Sequence, residues 1–75
     1  MVAYYRDDKA IKKFGKKLRE IRQSRGISQE DLALKCGLEY SQVNRIELGK
    51  VNTSISHVFL LAKHLEINPA QFFID

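Results

Sequence analysis

The chain has one cysteine, one proline, four glycines and no tryptophan. A single thiol, Cys36, excludes an internal disulfide framework and fits a reducing, cytoplasmic compartment. No apolar run exceeds five residues (Val58 to Ala62), so no transmembrane helix and no membrane partner is expected. The N-terminus reaches Arg6-Asp7-Asp8-Lys9 before any signal-like apolar stretch forms. Zinc-ligand spacing is missing, and no nucleophile stands beside a base or a paired carboxylate. His57 and His64 are remote in sequence from Cys36. An enzyme is therefore not expected, nor a metal or other cofactor.

What is present is enough for one small domain, residues 1–75. Apolar residues make up 44% of the chain, so a core is possible and disorder is not expected. A core of this size often needs help from a second subunit. The formal charge is +4, and it is uneven. Residues 1–26 carry nine cations against three acids, whereas residues 27–75 are net acidic. A basic N-terminal third suits a polyanion, or simply a solvated helix face.

Gly26, Gly37, Gly49 and Asn68-Pro69 divide the chain into helix-length pieces. Ile11, Phe14, Leu18 and Ile21 share one helical face, predicting a helix over about 8–25 with Asp7 or Asp8 as cap. Ser28 with Asp31 has capping-box spacing and opens a helix over about 29–36, whose apolar face is Leu32, Ala33 and Cys36. A third helix, about 40–48, turns Val43 and Ile46 inward and Ser41, Asn44, Arg45 and Leu48 outward. Ser54 caps a fourth, about 55–64, with Val58, Leu61, Ala62 and Leu65 as its stripe, widened by Phe59 and Leu60. Asn68 and Pro69 open a fifth, about 69–74. No useful length alternates with period two, so the expected fold is all-α with five helices. Arg22 and Glu47 fall on apolar faces of the first and third helices. A buried charge needs a partner, so the two are expected to pair with each other.

The helices at 29–36 and 40–48, joined by Gly37-Leu38-Glu39, form a helix-turn-helix pattern over residues 28–48. Gly26-Ile27-Ser28-Gln29-Glu30-Asp31-Leu32-Ala33, Gly37-Leu38 and Arg45-Ile46-Glu47-Leu48-Gly49-Lys50 together resemble the phage-repressor/Cro-like family. The bacterial xenobiotic-response-element regulators belong to it. Leu61-Ala62-Lys63-His64-Leu65 and Pro69-Ala70-Gln71-Phe72-Phe73 extend the likeness across nearly the whole chain.

The resemblance implies a lambda-repressor-like DNA-binding domain and a sequence-specific transcriptional regulator. Its helix 40–48 would lie in the major groove of double-stranded DNA. Arg45 would read a base, supported by Tyr40, Ser41, Gln42 and Asn44. Gln29, Lys50 and Asn52 would contact phosphates. The family also supports the Arg22–Glu47 pair. Three positions depart from its pattern: Leu48 where a polar residue is common, Thr53 where Pro is frequent, and Glu39 where Ser or Thr often caps. Phe72, Phe73 and Ile74 would form a homodimer interface at the C-terminal helix, for a pseudo-palindromic operator, with Val58 or Phe59 as a further contributor; the alternative for either Phe72 or Phe73 is a plug in the monomer core. Small repressors, restriction–modification controller proteins and antitoxins share this layout. The alternative is an antitoxin or protein-interaction module whose main partner is an unidentified protein.

Overall fold

The computed structural model describes residues 5–74. Four α-helices run in order, α1 (Asp8–Ser24), α2 (Gln29–Cys36), α3 (Tyr40–Glu47) and α4 (Ile55–Leu65), followed by a 3-10 helix, Pro69–Phe73. The fold is helical with no strand among the described residues. None of these helices is long and apolar enough to cross a membrane.

Side-chain caps set the starts. Asp7 Oδ1 accepts the Ala10 N–H at 2.9 Å, Ser28 Oγ that of Asp31 at 3.0 Å and Ser54 Oγ that of His57 at 3.1 Å. Each satisfies a donor that the first turn cannot. α4 runs through Leu65 because Glu66, at φ 57°, takes the left-handed C-cap position that glycine usually fills.

The expected fifth α-helix is corrected to one 3-10 segment. Gln71 N–H donates to the Asn68 carbonyl three residues back, at 2.9 Å. Pro69 has no N–H to give, and so short a run settles into the tighter form.

The core is Phe14 and Leu18 of α1, Leu32 and Ala33 of α2, Val43 and Ile46 of α3, Val58, Leu61, Ala62 and Leu65 of α4, and Phe72. α3 packs on α1 and α2, α2 on α4, and the 3-10 helix against α1 and α4. Two expectations change here. Of the two phenylalanines assigned to a dimer interface or the core, Phe72 is the core plug, 1% exposed, and leaves the interface. Its ring meets Phe14 edge-on, centroids 5.0 Å apart, because the 3-10 turn aims it at the gap between α1 and α4. Phe59 does not widen the α4 stripe but is exposed, since Val58, Leu61, Ala62 and Leu65 already fill the inward face.

Two glycines let α1 and the end of α3 touch backbone to backbone. A Cβ on Gly15 would fall on the Ile46 carbonyl oxygen and 2.8 Å from that of Glu47. A Cβ on Gly49, at φ +71°, would lie 2.8 Å from the Lys12 Cα. Gly15→Ala should therefore destabilise the chain by about 1–3 kcal/mol through overpacking. That loss opposes the gain of about 1 kcal/mol that alanine brings to a helix interior. A thermal midpoint above wild type would show that α1 and α3 can part at no cost.

Candidate nucleic-acid interface

The site is built on α3, and what holds α3 is a buried ion pair. Arg22 Nε donates to Glu47 Oε2 at 2.6 Å and Nη2 to Glu47 Oε1 at 3.0 Å. The third guanidinium nitrogen, Nη1, donates to the Ile27 carbonyl at 2.8 Å. The side chains are 10% and 1% exposed. Gln29 adds a fourth bond, its Nε2 donating to Glu47 Oε1 at 2.9 Å. Among the described residues no buried side-chain nitrogen or oxygen lacks a partner. A charge pair taken out of water is tolerable only when its remaining hydrogen-bonding capacity is met, and here one network ties α1, the α1–α2 turn, α2 and α3 together.

With Val43, Ile46 and Glu47 turned inward, the opposite side of α3 is left to Tyr40, Ser41, Asn44, Arg45 and Leu48. Tyr40, Arg45 and Leu48 are exposed, and Ser41 and Asn44 half-buried. Two shallow concavities flank this face. One, of about 400 Å³, brings Gln29, Tyr40 and Asn44 together with Ser28, Leu48 and Arg19. The other, of about 190 Å³, brings Gln42, Arg45 and Asn52 together with Thr53 and His57. Of the residues assigned by sequence to base and phosphate contact, Gln29, Tyr40 and Asn44 share the first hollow, Gln42, Arg45 and Asn52 share the second, and Ser41 and Lys50 line neither. Lys50 is exposed at the exit of α3.

Gln42 has a second task. Its Oε1 accepts the Glu39 N–H at 2.9 Å, while Glu39 occupies the N-cap. The Glu39-x-x-Gln42 spacing was a legible signal for this, masked by the rarity of Glu as a cap residue. Arg19 and His57 were missed as lining residues. Arg19 lies three positions before Arg22, and that i, i+3 spacing puts it on the same side of α1.

An adjoining, mainly apolar groove, of about 280 Å³, runs between α1 and α4 and shares Asn52 and Thr53 with the second hollow. Tyr5, Ile11, Phe14, Ile55, Val58 and Phe73 line it. Phe73 stacks on Phe14, centroids 5.9 Å apart, yet is 61% exposed; Ile55, Phe59 and Ile74 are also exposed. Ile55 went unnoticed in the sequence, although it has no core role. Cys36 is half-buried against the core, and burial raises the pKa of its thiol.

A model of the helix-turn-helix family matches residues 18–72. The HTH-type transcriptional regulator PuuR of Escherichia coli (strain K12) is 41% identical over 61 residues, 81% of this chain. The chain spans only 33% of that relative's length. Among solved structures, the restriction–modification controller protein C.AhdI from Aeromonas hydrophila is similar with a TM-score of 0.82 and 43% identity. That match covers 84% of this chain and 96% of C.AhdI. The controller protein C.Esp1396I, solved as a tetramer with its natural 35 base-pair operator, matches with a TM-score of 0.78 and 33% identity. That match covers 85% of this chain and 84% of the relative's.

Proposed function

Because the chain belongs to the helix-turn-helix family, we propose that it is a transcriptional regulator that reads double-stranded DNA with α3 in the major groove. One observation carries the reading. The outward side of α3 is polar but for Leu48, is flanked by two open hollows, and is fixed from behind by the Arg22–Glu47–Gln29 network. A reading helix needs a side free to meet base edges and a back that does not shift.

Residues 1–75 act as one DNA-reading domain in this proposal, with a cytoplasmic, non-enzymatic role. Arg45 is the base reader, since its guanidinium suits guanine O6 and N7 together. Tyr40, Ser41 and Asn44 support it, and Gln42 does so with its amide nitrogen while its oxygen caps α3. Gln29, Lys50 and Asn52 meet phosphates. A homodimer places two copies of α3 on a pseudo-palindrome, about 34 Å apart. Phe73 and Ile74, joined by Ile55 and Phe59, supply its apolar surface, and the interface role is withdrawn from Phe72. The likeness to C.AhdI and C.Esp1396I favours a controller-type regulator.

Selection of bound sites from random duplex DNA tests the proposal. A motif of two inverted half-sites is the expected result, and recovery of no motif would count against it. Arg45→Ala should relax preference at one base position per half-site and cost about 1–3 kcal/mol there. A uniform loss across all sequences would instead make Arg45 a phosphate contact.

A further inference from the structure

We propose that Arg6, in the segment before α1, is a positioning residue for DNA binding, fixing the loop that carries Lys50 and Asn52. The inference rests on the DNA-binding reading above. Arg6 Nη2 donates to the Lys50 carbonyl at 3.2 Å, across 44 residues of sequence. Its Nε donates to Asp8 Oδ1 at 2.6 Å.

The two bonds do different work. Asp8 sits in the first turn of α1, which the Asp7 cap anchors. Its backbone is therefore fixed, and its exposed carboxylate accepts the bond from Nε and so orients the planar guanidinium. The aimed guanidinium then holds the first carbonyl beyond Gly49, where the chain leaves α3. The Lys50 N–H already donates to the Arg45 carbonyl at 3.0 Å. Both backbone groups of Lys50 are thus tied, one to α3 itself and one to α1 through Arg6. The Lys50 side chain and the Asn52 side chain two residues on start from a fixed backbone. A grip on phosphates depends on that starting point, because ordering a free loop at binding costs affinity.

Arg6 is also a cation, so charge and position must be separated. Lysine keeps the charge but lacks the flat fork that bonds a carboxylate and a carbonyl along one edge. Removing Asp8 has opposite consequences under the two ideas. As a purely electrostatic change, loss of an acid near the interface strengthens phosphate binding. As loss of the aiming group, it weakens binding.

The experiment uses the full chain, a labelled mixed-sequence duplex at low salt, and the variants Arg6→Ala, Arg6→Lys and Asp8→Ala. Thermal melts confirm folding. All three are expected to weaken binding, Arg6→Ala by about five-fold, the worth of one hydrogen bond. Without DNA, exchange of the Lys50 amide, whose N–H donates to the Arg45 carbonyl, should speed up in each. Wild-type-like binding by Arg6→Lys, or tighter binding by Asp8→Ala, overturns the positioning role and leaves Arg6 a simple cation. A wild-type chain that binds no duplex overturns the DNA reading and this inference with it. Wild-type binding that none of the variants alters overturns this inference alone.

Discussion

Glu47→Ala should lower stability by about 3–5 kcal/mol, because it leaves the Arg22 guanidinium buried without its counter-charge. For a domain of this size each kcal/mol moves the thermal midpoint by about 4–8 °C. Total stability should be only about 0.05–0.15 kcal/mol per residue, so the variant stands at the edge of unfolding. Arg22 would keep its bond to the Ile27 carbonyl and lose both to Glu47. Gln29 would lose its acceptor as well. The double variant Arg22→Met/Glu47→Leu separates cost from worth. Replacing a whole buried pair with apolar side chains of similar size is often neutral or stabilising. The double variant should therefore melt well above Glu47→Ala. Thermal denaturation followed by circular dichroism measures both, and a Glu47→Ala midpoint within a degree of wild type would show that the pair carries no stability.

Phe72→Ala should cost about 3–5 kcal/mol, the usual range for emptying a buried aromatic site. Phe72 is almost wholly buried and edge-on to Phe14. Its neighbour gives the contrast. Phe73 is mostly exposed, and Phe73→Ala should change the stability of the monomer by under about 1 kcal/mol. If the proposed dimer uses this surface, Phe73→Ala should raise the dissociation constant of the dimer. Folding and association are linked in a dimer, so the melts must be run at a concentration where wild type is monomeric. Sedimentation velocity over a concentration series then reads association separately. Equal destabilisation by the two alanines would show that the aromatic pair acts as one core unit. It would also remove Phe73 from the interface.

The sequence carried the inner faces of the helices because periodicity is a local property. Val43, Ile46, Leu61 and Leu65 follow from spacing alone, and so do the caps at Ser28, Ser54 and Asn68. The Arg22–Glu47 contact could be expected because each charge sits where its helix should be apolar. What escaped was set by three-dimensional approach. Gly15 lies in the middle of α1 with no turn to explain it, and its reason is the α3 carbonyls 31 and 32 residues later. The α4 stripe was read too wide because apolar residues occur on more than one face. Val58 follows from its spacing, whereas only packing shows that Ile55 and Phe59 are outside. Glu66 ends α4 in a left-handed conformation without the glycine that usually announces it. The two C-terminal phenylalanines are adjacent and chemically identical, so their separate roles depend on the 3-10 turn.

The Arg22 network also joins a local contact to a distant one. The bond from Arg22 to the Ile27 carbonyl spans five residues and closes with the α1–α2 turn. The bonds to Glu47 span 25 residues and wait for α3 to arrive. Closing the longer loop costs more entropy, and water must leave both charges before they can meet. α1 and α2 hardly touch each other directly and are joined chiefly through α3, so the network is complete only with α3 in place. The helix that carries the reading surface is therefore also the piece that joins α1 to α2, and a change that loosens it loosens the whole domain.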